Sequence, residues 1–401
     1  MSSSISWIDF ADENRNTMMD VVKLFREKDT IDELGVGTVR DAFSNYFFPG
    51  TSTIQTRAKY MLFVPWIYEK IEAKRISHPK SAEKARRYEI KLIKVLLKSE
   101  DTEGVIGSSA GEELQRLPSE IYWAGLYDWG IRRFPGSRSE YHRSLTNKFY
   151  RKKELYKEEG ISFQENWHPG LPEAPKNFLS KSSIKLNFDQ ADYLKERITD
   201  TQKDTLLYCL LDYDYKEDEN IFWRLDLIDD LSNKLQENVK HAQNFAELIQ
   251  GAYLLYNYLL AEKREDNELI SRYFEEIEDW KTRILARWSE LKYWHDNIDQ
   301  FWNSEPVISH GVAHTVKVFI NSWFEIVFDN RSMDNLHKSD KARRLLENRE
   351  RRKKGKQARL HNKRALERWS GRSGTSIFDF RWQQVKTIVS DITEGLVGEE
   401  R

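Results

Sequence analysis

Residues Asn238–Glu262 read NVKHAQNFAELIQGAYLLYNYLLAE, and the architecture follows from them. Val239, Ala242, Phe245, Ala246, Ile249, Ala252, Tyr253, Leu255 and Leu259 recur at helical spacing and cover most of a helix circumference. A helix that is apolar nearly all round has no face to offer water, so it belongs inside a helical domain. Downstream, Leu269–Trp288, Leu291–Trp302 and Ser309–Phe328 carry further helical periodicity rich in aromatics. Phe378, Trp382, Val385, Ile388, Val389, Ile392 and Leu396 define a closing helix, expected over Thr375–Leu396 and expected to pack back on this spine.

Upstream, helical spacing predicts elements over Asn14–Arg26, Thr38–Phe47, Gln55–Ile71, Ser81–Lys98 and Leu117–Trp129. Thr51, Ser52 and Thr53 supply hydroxyls suited to capping the helix from Gln55, and Pro65 is expected to kink it. A short helix over Ser108–Leu114, then Leu117–Trp129, then the basic Gly/Pro segment Arg132–Arg138, follow the order of a winged helix-turn-helix. The middle helix presents Glu120, Tyr122, Trp123, Tyr127 and Asp128, which are poor readers of bases. Trp167–Ser183 holds Pro169, Gly170, Pro172 and Pro175 without helical period, the composition of a boundary. The fold expected is therefore mainly α, in two helical domains. Residues 1–166 form the first and contain the winged-helix-like unit, 167–185 form a Pro/Ser-rich linker, and 186–401 form the second.

Thirteen Trp among 401 residues speak for packed cores, because a disordered chain of comparable charge is poor in aromatics. The single Cys209 excludes an internal disulfide and suits a reducing compartment. No apolar segment follows Met1, and the longest apolar runs, Tyr60–Tyr68 and Gly251–Ala261, fall short of the ~20 residues of a membrane span. A cytoplasmic chain with no membrane partner is expected. Gly35-Val36-Gly37 lacks the third Gly and the Lys of a phosphate loop, so no nucleotide cofactor is expected.

Charge is concentrated. Between Lys338 and Arg372 fifteen Lys/Arg face four acids, a local net of +11 in a chain whose total is −1. Residues 373–401 carry −2, which leaves −10 for residues 1–337. Like charge in a block repels itself and is offset by a polyanion, with nucleic acid the first candidate. The bland alternative is a solvated helix face. Against it, Arg349–Lys356 has no large apolar residue, whereas Ala358, Asn362, Ala365, Leu366 and Trp369 beyond it give one packable stripe, so the segment is a tethered basic helical arm. Arg349, Arg351, Arg352, Lys353, Lys354, Lys356, Arg359, Lys363, Arg364 and Arg368 are the candidate nucleic-acid contacts, to phosphate rather than to bases. Arg57, Arg132, Arg133 and Arg138 are secondary anion candidates, with a structural role the plainer reading for Arg57. The acidic loop Asp212, Asp214, Glu217, Asp218 and Glu219 is an internal competitor for the arm.

Enzymatic candidates are thinner. His241, Gln250 and Asn257 interrupt the spine, with Glu262 at its end, but buried polar side chains more often satisfy neighbouring backbone groups. His310 and His314 stand four apart, as two ligands of one metal would, yet lack the Glu of a zinc-protease signature and further ligands nearby, so no metal is expected.

Trp7–Phe10, Asp32–Gly37, Phe48-Pro49-Gly50-Thr51-Ser52-Thr53-Ile54-Gln55-Thr56-Arg57-Ala58 and Leu62–Ile67 resemble an uncharacterised bacterial domain-of-unknown-function family. The likeness continues through Leu117–Trp123, Gly251-Ala252, Tyr256-Asn257, Gln357–Leu360, Ala365, Trp369 and Gly371. The resemblance implies a loose association with bacterial phage-defence gene clusters that also encode helicases or phospholipase-D-type nucleases, and supplies no catalytic residues. The expected function is a non-enzymatic nucleic-acid-binding subunit of an anti-phage assembly, on DNA in preference to RNA, with a partner helicase or nuclease. Two alternatives stand beside it. One is a protein-interaction scaffold or inhibitor whose basic helix docks an acidic partner, and the other a hydrolase with a site near His241/Asn257 or His310/His314.

Overall fold

The computed structural model describes residues 32–108, 111–155, 165–213, 220–329 and 333–398. The helix expected over Asn14–Arg26 and the acidic residues Asp214, Glu217, Asp218 and Glu219 lie outside them. Among the described residues every regular element is helical. In chain order these are α1 (Gly37–Phe47), α2 (Tyr60–Ala73), α3 (Lys80–Leu96), α4 (Pro118–Asp128), α5 (Arg138–Leu155), α6 (Phe188–Thr201), α7 (Leu206–Leu210) and α8 (Asn233–Arg264). They continue with α9 (Asn267–Ala286), α10 (Trp288–Asp296), α11 (Ile298–Trp302), α12 (Glu305–His310), α13 (His314–Val327), α14 (Asp340–Lys354), α15 (Lys363–Glu367) and α16 (Trp382–Val397). No helix of the described residues is long and apolar enough to cross a membrane.

The chain forms two compact units, and each is discontinuous in sequence. One comprises Met1–Phe43 with Glu237–Phe378, the other Ser44–Gln236 with Asp379–Arg401. The division expected at 167–185 is not the one observed. That segment lies inside the second unit, with Trp167, Phe178, Leu179 and Ile184 buried. Its prolines interrupt helical spacing, but they do not prevent burial. The Trp66 indole of α2 donates to Pro172 O at 2.7 Å, and Lys59 Nζ donates to Lys185 O at 2.5 Å.

In the first unit α8 is the spine, as its sequence requires. Two tryptophans from neighbouring helices donate to its backbone, Trp280 Nε1 to Glu247 O at 2.7 Å and Trp323 Nε1 to Leu248 O at 2.9 Å. Gly251 makes this possible, because a Cβ there would lie 2.4 Å from the Trp280 ring. Asp266 caps α9 by accepting from Leu269 N at 3.1 Å, and Tyr273, Ile277, Trp280 and Ile284 bury one face of α9. The helix expected over Ser309–Phe328 is broken at Gly311, whose φ of +73° ends α12 in the left-handed region that glycine adopts without a Cβ penalty.

In the second unit α2 is buried from Tyr60 to Tyr68, with Pro65 inside it. It starts five residues later than the expected Gln55. Thr51 Oγ1 donates to Phe48 O at 2.6 Å and caps nothing, while the residues after it are held by tertiary bonds described below. Tyr68 stands among Trp123, Tyr141 and Trp167 with ring centroids 5.2–5.9 Å away. The Arg132–Arg138 segment, expected as a wing, is a loop whose ladder contact is an isolated antiparallel bridge between Arg132 and Trp167. The closing helix α16 packs on α6 of the same unit, where Gly395 sits against the Cβ atoms of Ala191 and Leu186.

Candidate nucleic-acid interface

The basic arm begins with α14, and its sequence explains its local form. Ser339 Oγ accepts from Ala342 N, Asp340 lies in the first turn, and Arg351, Arg352, Lys353 and Lys354 fill the last turn, where cations complement the helix dipole. Only Ala342, Leu346, Arg349 and Glu350 of this helix are buried. The rest of its surface is almost entirely charged.

Three buried or half-buried groups tie the arm to the first unit. Arg349 donates through Nε to Leu34 O at 2.6 Å, through Nη2 to Gly35 O at 2.9 Å and through Nη1 to Thr315 O at 3.1 Å, with its guanidinium 4.7 Å from the Phe319 ring centre. Glu350 is wholly buried and accepts from Tyr256 Oη at 2.6 Å, Arg359 N at 2.7 Å and Leu360 N at 3.0 Å. Glu33, 1 % exposed, receives Arg359 Nη1 at 2.6 Å and the Lys354 ammonium. Burial and the neighbouring Arg359 pull the Lys354 ammonium down to about 8, while the Asp32 carboxylate works in the opposite direction.

The loop Asp32–Gly37 is the receiving element for all of this. Asp32 accepts from Val36 N and Gly37 N at 2.9 Å each, closing the loop onto the start of α1, and from Tyr253 Oη of the spine at 3.1 Å. Gly35, at φ +66°, leaves room for the Lys353 side chain, since a Cβ there would lie 2.4 Å from Lys353 Cε. The paired glycines that fail as a phosphate loop thus serve as a socket for the arm.

Three candidate contacts are therefore corrected. Arg349, Lys354 and Arg359 face the protein, because each satisfies buried carbonyl or carboxylate oxygens that would otherwise lack partners. Arg343 and Arg372 are likewise held, by Glu262 at 2.5 Å and by the Thr375 hydroxyl at 2.8 Å. The other candidates, Arg351, Arg352, Lys353, Lys356, Lys363, Arg364 and Arg368, are exposed, as are Lys338, Lys341 and Arg344. None of these ten is ion-paired to a described residue. On α14, Lys341, Arg344, Arg351 and Arg352 fall at helical spacing along one stripe of ~15 Å.

The secondary anion candidates separate in the same way. Arg57 is buried and donates to Asp391 from Nε at 2.9 and 3.0 Å, with Nη2 at 2.8 Å from Asp391, and from Nη1 to Asp101 at 3.2 Å and Glu103 O at 2.9 Å. Burial opposes the Arg57 charge, yet the two carboxylates outweigh it and raise its pKa. For Asp391 burial prevails, and its pKa is raised in spite of Arg57. Arg132 is buried, spends its guanidinium on Trp123 O, Phe134 O and Gly136 O, and lies 4.6 Å from the Trp123 ring centre. Arg138 is paired with Glu120, and Arg133 alone of the four is exposed without an ion pair to a described residue.

The enzymatic candidates do not assemble. His241 accepts the Trp294 indole N–H at 2.8 Å and is pulled down to about 4 by burial and Lys240, so it is a neutral core histidine. Asn257, ~24 Å further along α8 at 1.5 Å per residue, holds Ser373 O at 2.8 Å. His310 and His314 are exposed on two different helices, parted by the break at Gly311. Among the described residues no group of three or more His, Cys, Asp or Glu is placed to hold a metal ion.

A family model described as a family of unknown function, DUF6361, matches residues 1–395. The chain belongs to this family. No curated protein and no solved structure matches it.

In this DUF6361 chain Trp7–Phe10 lies outside the described residues, and the stretches around Thr56–Ala58, Tyr122 and Asn257 are joints rather than open sites. Tyr122 Oη accepts from Thr56 N at 2.9 Å and Arg57 N at 3.1 Å and donates to Arg57 O at 2.9 Å, while Ala58 N donates to Asp391 at 2.7 Å. Asn257 and Gln250 of the spine hold Ser373 O and Thr375 O just past the arm. The acids Glu33 and Glu350, which position the arm, were missed in the sequence. Glu350 stands between Arg349 and Arg351 and Glu33 between Asp32 and Leu34, but nothing local names the partner of either.

Proposed function

We propose that the chain is a non-enzymatic nucleic-acid-binding protein whose contact surface is the outward side of the Lys338–Arg368 arm. The observation that carries this is the division of the arm's cations. Of the fifteen between Lys338 and Arg372, five are consumed within the first unit and hold the arm in place, while ten are exposed and ion-paired to no described residue. Positive charge fixed on an ordered support meets a phosphate backbone with less ordering cost than a free tail would. Contacts of this kind supply affinity without reading sequence. The anti-phage setting, and a helicase or nuclease that performs chemistry on the held strand, rest on the family resemblance and complete the proposal.

The test is a salt titration of the full chain against a generic DNA duplex. If four of the exposed cations contact phosphate, log affinity falls against log salt with a slope of about −4. Absence of binding at low salt sinks the proposal.

A further inference from the structure

A second charged surface, of opposite sign, lies in the second unit. A cleft of about 520 Å³ runs between the Gly170–Pro175 segment and α6, lined by Pro172, Glu173, Asp189, Asp192, Tyr193 and Glu196 among others. Its volume is that of a small-molecule site. Asp189, Asp192 and Glu196 follow one another at i, i+3 and i+7, so they share a face of α6 over ~10 Å. None of the four acids is ion-paired to a described residue. Of the cations of α6, Lys195 pairs with Asp212 and Arg197 with Asp200, the Arg197 guanidinium also lying 5.9 Å from the Tyr193 ring centre. Tyr193 is 5 % exposed, lines the cleft, and has a buried hydroxyl without a hydrogen-bond partner. Buried hydroxyls in folded proteins are ordinarily satisfied, so this one marks a place for a polar ligand atom. The cleft's surroundings show the cost of the crowded charge, for Glu69 is pushed up to about 7 by burial together with Glu72, Glu165 and Glu173.

We propose that this cleft binds an extended polyamine, a chain of ammonium groups separated by short methylene runs. A single metal ion does not fit, because no three of the described carboxylates converge on one point. Charges spread along a helix face call instead for a ligand whose own charges are spread. Pro172 and Pro175 offer apolar surface to the methylenes, the acids receive the ammonium groups, and the Tyr193 oxygen accepts one N–H. The site is independent of the cationic arm, which belongs to the other unit.

Calorimetric titration of the full chain with spermine at low ionic strength tests it. Saturable one-to-one binding is expected, about tenfold weaker in Asp189→Asn/Asp192→Asn and in Glu173→Gln/Glu196→Gln, and unchanged in Arg351→Ala/Arg352→Ala. Glu173 lies outside any helix, so Glu173→Gln alone reads the cleft without touching the stability of α6. Tyr193→Phe is expected to weaken binding several-fold. No saturable heat, equal affinity in the folded acid variants, or full displacement by equimolar magnesium overturns the proposal. So does a lysine-rich peptide that binds the cleft when spermine does not, since the occupant would then be a protein.

Discussion

Arg359 meets Glu33 at 2.6 Å, although 326 residues separate them in the chain. The contact fastens the loop after α14 to the loop before α1, and Lys354 joins it from the other side. Glu33→Gln leaves two partly buried cations without their counter-charge. Because Arg359 and Lys354 keep 17 % and 19 % of their side-chain exposure, the loss should fall below that of a fully buried pair, at about 2 kcal/mol. Urea denaturation followed by tryptophan fluorescence measures it, and an unmoved midpoint would show that the joint contributes nothing.

The arm's cations should separate into two classes on mutation. Arg351→Ala/Arg352→Ala is expected to leave Tm unchanged while lowering the magnitude of the salt slope for DNA binding by about 2. Arg349→Ala should do the reverse in stability, costing about 2–3 kcal/mol, because the carbonyls of Leu34, Gly35 and Thr315 lose their donors. Equal effects of both substitutions on Tm would refute the division.

Gly251→Ala should invert the usual rule for helix interiors. Replacing Gly by Ala in a helix ordinarily gains about 1 kcal/mol. Here the new Cβ would lie 2.4 Å from the Trp280 ring, and moving that ring also breaks its bond to Glu247 O. Overpacking of this kind costs about 1–3 kcal/mol, so a net loss is expected. A rise in Tm on thermal denaturation would contradict the packing described.

Glu89 gives the second unit a defined pH dependence. It has no exposed surface, and burial pushes its pKa up to about 7 even though Ser119 N and Oγ donate to it at 2.8 and 2.9 Å. In the unfolded chain the same group ionises near its ordinary value of 4.5. Between these values the folded state holds the extra proton, so the contribution of Glu89 is present at low pH and is lost as pH rises through about 7. Its size is about 3 kcal/mol. Glu89→Gln should flatten the stability profile between the ordinary value of 4.5 and about 7, and an unchanged profile would assign the dependence elsewhere.

The spine from Val239 to Leu259 was legible because helical burial is written in local spacing, and α4 and α9 were legible for the same reason. Gln55 was a less successful start for α2. The hydroxyls of Thr51–Thr53 look like caps in isolation, but the neighbouring Thr56 and Arg57 amides turn to the Tyr122 hydroxyl instead. Proline and glycine at 169–175 suggested a linker, since composition records the absence of a helix and not the Trp66 indole that binds the segment down.

What the sequence determined by itself is the mainly helical class, the buried spine and the concentration of positive charge at 338–372. These depend on neighbours three and four residues away, which share a helix face whatever the rest of the chain does. Only the tertiary structure decided that each unit draws on two separate stretches of chain, and which arginines and lysines turn inward. Arg349 and Arg351 are two residues apart in the same charged run, yet one is buried and the other exposed. The difference lies in the Leu34 and Gly35 carbonyls, 315 and 314 residues away, and no local pattern carries a partner at that distance.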